Sequence, residues 1–188
     1  MSAIDLSSPQ NCLLKQQTPE GYWWFTLEAN ESIGAGFIQL MHFVDQVDPE
    51  VESGLVARLV QEQRPDGSWG LFYEAPGDIS LTIEAYFALR LAGHSLDEPC
   101  LQRARDFILQ QGGLTRCRIF TRIHLALFGL VPWSVTPSMP VWLIFFPTWT
   151  RASIYEFSSW ARASIVPLLL IMDKKPVHPL PFRLDELC

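Results

Sequence analysis

One pattern occurs twice in the 188 residues and restricts the fold more than any other feature. Leu13-Leu14 is followed by Gln17, Gly21 and Trp23, and Leu59-Val60 by Gln63, Gly67 and Trp69. Both copies read Gln-x3-Gly-x-Trp and stand 46 residues apart. A period of that length is typical of helical arrays, in which each unit is a helix pair. Glycine is free to take positive φ, and Pro19 and Pro65 sit at matching places just before it. Trp supplies a broad face to stack, and Gln an amide to set against it. Each copy therefore reads as a helix end, a tight turn and an aromatic peg, and Gln17, Gly21, Trp23, Gln63, Gly67 and Trp69 are assigned a structural role.

Helical patterns fill most of the remainder. Ile33, Phe37, Leu40, Met41 and Val44 recur at 3.6-residue spacing behind Asn30, a cap residue. Asp48-Pro49, a cap followed by Pro at the first position, opens a second helix that Pro65-Asp66-Gly67 ends. A third is predicted from Asp78 to Gly93, and a fourth from Asp97-Glu98-Pro99 to Gly112-Gly113. A fifth begins near Thr115 and carries Ile119, Phe120, Ile123, Leu127 and Phe128. The Pro-rich segment 130–150 reads as a long ordered loop, and a last helix runs from about Ala152 to Met172 with a kink at Pro167. No sheet is expected. The expected fold is all-α, with helix pairs forming an incomplete α/α barrel. Residues 1–10 read as an N-terminal extension, 11–173 as the helical domain, and 174–188 as a Pro-rich extended tail.

Hydrophobic residues make up 48% of the chain and charged residues 18%, enough apolar side chain for a sizeable core. The net charge of −6 argues against a nucleic-acid binder. The balance shifts along the chain. Residues 1–112 hold 6 basic and 16 acidic groups, and residues 113–188 hold 8 basic and 4 acidic groups. That basic half is also apolar, which suits either anionic lipid or a buried core with a few surface Arg. No basic and apolar leader is present in Met1–Gln10, and prolines interrupt the longest apolar stretch, Leu130–Trp149. A cytoplasmic protein with at most peripheral membrane contact is expected. Cys12, Cys100, Cys117 and Cys188 form no CxxC pair, and His42, His94 and His178 form no ligand spacing with His124. Neither a metal nor another cofactor is expected.

With these residues in order, the chain resembles the N-terminal part of squalene–hopene cyclases. The doubled motif looks like their QW repeat. Supporting strings are Glu20-Gly21-Tyr22-Trp23-Trp24, Gln63-Arg64-Pro65-Asp66-Gly67-Ser68-Trp69, and Pro76-Gly77-Asp78 leading into Thr82-Ile83-Glu84-Ala85-Tyr86. Further along stand Phe120-Thr121-Arg122, Pro132-Trp133, Ile154-Tyr155-Glu156 and Ser159-Trp160-Ala161-Arg162. The resemblance spans about residues 11–182. It implies an enzyme of two α/α barrels around an apolar cavity, attached to one membrane leaflet. It also implies a squalene-like isoprenoid substrate, cyclised after protonation by an Asp of a DxDD motif without metal or nucleotide. Aromatic faces would steady the carbocation, which must be kept from water.

No DxDD string occurs in the 188 residues, so no catalytic residue is assigned and the chain alone is expected to be inactive. Two other readings stay open. One is a non-catalytic helical module that pairs with a separate C-terminal barrel; the other is part of an oxidosqualene or diterpene cyclase. Phe120, His124 and Phe128 share one helix face, and the resemblance places them by the substrate channel; ordinary core packing is the alternative. The family has acidic residues where this chain has Gly34 and Gly36, Trp near the place of His124, and Glu at the place of Trp142. Asp45 and Asp48 read as helix-end and capping groups. Glu28, Glu31, Glu74 and Glu84 read as exposed or turn charges. Arg116, Arg118 and Arg122 read as a solvated cluster.

Overall fold

The computed structural model describes residues 7–25, 29–150 and 153–188. Seven α-helices and several short 3₁₀ turns make up the described residues: α1 Ser7–Lys15, α2 Glu31–Phe43, α3 Pro49–Gln61, α4 Ile79–Leu91, α5 Pro99–Gln110, α6 Ile119–Leu127 and α7 Ser159–Lys174. Only isolated bridges are present among them, so the fold is all-α as the sequence implies.

The helix starts follow from their caps. The Asn30 side chain accepts from Ser32 N, Asp48 from Glu50 N and Val51 N, and Asp78 from Leu81 N. Each supplies an acceptor to a first-turn N–H that has no helical partner. α6 starts later than its pattern predicts. Gly112 and Gly113 take positive φ, a 3₁₀ turn covers Gly113–Arg116, and Cys117 and Arg118 are extended. Phe128 consequently caps α6 rather than lying within it. The expected start of α7 at Ala152 lies outside the described residues. Downstream of it, Ile154–Glu156 is a 3₁₀ turn, and the helix begins at Ser159, where the Ser158 hydroxyl accepts from Ala161 N. The helix continues through Pro167. α1 begins at Ser7, within the stretch read as an extension, and none of its residues is buried.

α4 is the centre of the molecule. Eleven of its 13 residues are buried, from Ser80 to Leu89 and Leu91, which gives it no solvent face. It packs against α2 on one side and α6 on the other, while α3 and α5 lie behind it. Alternate helices α2, α4 and α6 thus form one row and α3 and α5 a second, the two-layer arrangement of an α/α barrel arc.

The core gathers Ile38, Met41, Leu59, Trp69, Tyr86, Phe87, Leu101 and Ile108. The segment 130–150 is a loop with two 3₁₀ turns, Trp133–Val135 and Val141–Phe145. The tail after α7 is extended yet packs back: Leu184 and Leu187 are buried in the core, and the Tyr86 hydroxyl donates to Glu186 at 2.9 Å.

Candidate functional site

Of the apolar stripe that spacing picks out on α2, only Met41 faces the core. Ile38, Gln39 and Ala35 turn inward with Met41, whereas Ile33, Phe37, Leu40 and Val44 stay exposed. Ile33, Phe37 and Leu40, together with α6, wall a groove of about 450 Å³, lined by Ser32, Ile33, Gly36, Phe37, Leu40, Glu84, Arg118, Phe120 and His124. Gly36, Leu40 and His124 also line an adjoining space of about 330 Å³, bounded by Phe43, Leu127, Phe128, Ile171 and Pro176. These volumes are in the range of small-ligand sites.

Of the three residues picked from sequence, Phe120 lines the groove, Phe128 lines only the adjoining space, and His124 borders both. Phe120 is 55% exposed and presents its ring to the first space. Phe128 is 3% exposed and meets Phe43 and Phe87 edge-on at 5.6 and 5.0 Å, so packing is its main role. His124 belongs to both spaces. Its Nδ1 is buried without a hydrogen-bond partner. Burial pushes the imidazole pKa below its usual value, the Glu84 carboxylate opposes this, and the Arg118 cation adds to it.

Two expectations are overturned at the groove floor. Glu84 is buried, not exposed: α4 has no polar face, so its carboxylate lies inside the molecule. Arg118 is not merely solvated: its Nη2 donates to both Glu84 oxygens, at 3.1 and 2.9 Å. The Thr121 hydroxyl donates to the same carboxylate, and Gln39 Nε2 donates to the Glu84 carbonyl at 3.1 Å. Arg118 N is held by the Ser80 hydroxyl at 2.9 Å. A buried carboxylate needs such a complete set of donors. The signal for Glu84 lay in its neighbours, since a lone acid within Leu81–Leu89 has no wet face to occupy.

Asp48 caps α3, Asp45 sits just past the end of α2, and Glu74 is an exposed turn residue, as expected. Glu31 is not an exposed charge: its side chain is 10% exposed in the first turn of α2 and pairs with Arg58 at 3.5 Å. Glu28 lies outside the described residues. Of the two glycines, Gly36 opens onto the groove, with nothing within 4 Å of a Cβ built there, whereas Gly34 faces Leu55 at 3.5 Å. Trp142 sits in the 3₁₀ turn against Phe146 and does not line the groove.

Chemically, the groove is an apolar trough with one fixed polar spot. Ring faces at Phe37 and Phe120 can attract a cation, and the Glu84–His124 end offers acceptors. Nothing among the lining residues supplies a strong acid.

Comparison with known proteins agrees with this architecture. The family profile described as squalene-hopene cyclase N-terminal domain matches residues 6–188. The chain is similar to the squalene–hopene cyclase of Alicyclobacillus acidocaldarius, 44% identical over 171 residues, covering 91% of this chain and 27% of the relative. It is similar to the squalene–hopene cyclase of Zymomonas mobilis, 43% identical over 166 residues, with 88% and 25% covered. It is also similar to the dammaradiene synthase of Dryopteris crassirhizoma, 42% identical over 168 residues, with 89% and 24% covered. The chain spans about a quarter of the length of these relatives. A match over nearly the whole sequence, on an all-helical two-layer arc built from the doubled Gln-x3-Gly-x-Trp motif, places this chain in the squalene–hopene cyclase family, within its N-terminal domain.

Proposed function

We propose that this chain forms one wall of the cavity of a squalene–hopene-type cyclase and has no activity alone. The reaction would be proton-initiated polycyclisation of squalene to hopanoid triterpenes. The observation that carries this reading is the trough between α2 and α6, apolar along Ile33, Phe37, Leu40 and Phe120, with its polar groups at Ser32, Glu84, Arg118 and His124. Such a surface suits a hydrocarbon whose charge appears only during reaction. The proton donor is not encoded in these residues, since they contain no DxDD. A C-terminal barrel would supply it and close the trough. Ring pattern is left open, because one similar protein is named for dammaradiene rather than hopene.

The test is turnover of squalene, read by gas chromatography with mass detection. The chain alone should give no cyclic product. Mixed with the remaining C-terminal part of a squalene–hopene cyclase, it should restore cyclisation. A cyclic product from the chain alone would overturn the claim of inactivity, and failure of every mixture would overturn the pairing.

We also place the whole cyclase at one membrane leaflet as a peripheral protein. No helix among the described residues is long and apolar enough to cross a membrane. Exposed aromatic rings at Trp142, Phe145, Trp149 and Trp160 are suited to the interface between headgroups and chains. Flotation with anionic vesicles should carry the chain upward, and replacing Trp149 and Trp160 by Ser should weaken that.

A further inference from the structure

The turn between α4 and α5 brings together three unlike side chains that the trough does not use. His94 follows the end of α4, Glu98 precedes α5, and Cys100 lies in its first turn. A ring nitrogen of His94, a carboxylate oxygen of Glu98 and the Cys100 sulfur all lie within 4.8 Å of one another. We propose that His94, Glu98 and Cys100 form a zinc-class divalent-metal site that clamps the α4–α5 turn. The mixed spacing His94-x3-Glu98-x-Cys100 contains neither a Cys pair nor a His pair, the patterns that most often mark a metal in sequence.

The donor set selects the metal. A thiolate, an imidazole and a carboxylate are the ligand types of zinc, and thiolate disfavours magnesium and calcium. One thiolate and one carboxylate would together balance a dication. Three protein ligands leave a fourth tetrahedral position for water. Around zinc, neighbouring ligand atoms stand roughly 3.3–3.7 Å apart, so side-chain movements of about 1 Å bring these three into place.

The backbone at all three positions is already held. His94 N donates to Leu89 O at 3.1 Å, and Arg90 Nη1 donates to the His94 carbonyl at 2.8 Å. Ser95 N donates to Glu98 Oε1 at 2.8 Å, which leaves Oε2 facing His94 Nδ1 at 2.6 Å. Gln63 Nε2, from the second repeat, donates to the Cys100 carbonyl at 2.8 Å. His94 and Glu98 are half-buried and Cys100 is buried, so the site has a wet entry and a dry base. Without metal, the His94–Glu98 contact is a hydrogen bond, and the dication would replace its shared proton.

Cobalt is the probe, because a bound thiolate gives cobalt a charge-transfer band in the near ultraviolet. The reduced chain, with exposed Cys12 and Cys188 changed to Ser, is titrated with cobalt chloride and then with zinc chloride. One equivalent of cobalt per chain should bind with that band and be displaced by zinc. Cys100→Ser should abolish the band, and His94→Gln and Glu98→Gln should each weaken binding at least ten-fold. His94 lies in an accessible turn, so its replacement leaves the helices intact, as far-ultraviolet circular dichroism will verify. Absence of the band in the parent chain would overturn the site. So would its survival in Cys100→Ser, or unchanged affinity in His94→Gln.

Discussion

In the first copy of the repeat, the Trp23 indole N–H donates to the Leu13 carbonyl at 2.7 Å; in the second, Trp69 donates to Leu59 at 2.8 Å. Gly21 and Gly67 have φ of 92° and 86°. Thr18 N reaches Tyr22 O, and Arg64 N reaches Ser68 O, both at 2.9 Å. The Gln17 and Gln63 amides each donate to the carbonyl of the motif's glycine, at 2.6 and 3.0 Å. Locally the copies are the same object, yet Trp69 is fully buried and Trp23 is 44% exposed. The difference comes from the next helix. α5 lies over the second copy: Cys100 O accepts from Gln63, Arg103 donates to Gln63 Oε1, and the Arg103 backbone crosses Gly67. The motif therefore encodes a turn, whereas burial belongs to whatever packs on that turn.

Truncating the two pegs is the strongest way to break this comparison. Trp69→Ala should lower stability by about 3–5 kcal/mol, the usual effect of emptying a core Trp site. Trp23→Ala should cost less than about 1 kcal/mol. Urea unfolding followed by circular dichroism measures both, and equal costs would mean that the first copy is buried in solution. The glycines come next. Ala at Gly21 meets only its unfavourable φ, at about 1 kcal/mol. Ala at Gly67 also drives its Cβ into the Arg103 backbone, within 3 Å, so its loss should be at least twice as large. Gln63→Ala leaves partners in α5 unmet and should cost about 1–3 kcal/mol, against about 1 kcal/mol or less for Gln17→Ala.

Acid sharpens the comparison from the packed half. Burial holds the His124 imidazole below its ordinary pKa of 6.5, so on acidification the unfolded chain takes up the proton first. Stability should be full above about pH 6.5, decline as pH falls below it, and level off beneath the folded pKa. The slope stays under about 1.4 kcal/mol per pH unit, and His124→Phe should remove it. Melting curves from pH 7 to pH 5 test this, and a slope that persists in the variant would assign it to another group.

Much of the fold was legible because capping is local. Asn30, Asp48 and Asp78 each announce a helix within three residues of its first free N–H. The break between α4 and α5 was legible from Gly93 and Asp97-Glu98-Pro99. What sequence could not rank was which side of a helix meets protein. α2 is apolar on both sides, and the regular stripe of Ile33, Phe37 and Leu40 proved to be the groove wall. Glu84 was misjudged for the complementary reason: its charge suggested water, but α4 is enclosed by α2, α5 and α6, and Arg118 arrives from 34 positions away. Phe120 and His124 share a helix face, and both line the groove.

The returning tail has a consequence for how the chain reaches this structure. Leu184 and Leu187 fill the core beside α4 and α5, Arg90 lies over the Phe182 ring at 4.8 Å, and Tyr86 and Glu186 meet across 100 positions of sequence. Contacts of such separation close a very long loop, and their entropy is lost before their energy is gained. During synthesis the first helices can pair as soon as they emerge, but one flank of the central helix stays uncovered until residues 182–187 have been made. Helper proteins that shelter apolar surface would find their longest opportunity on that flank.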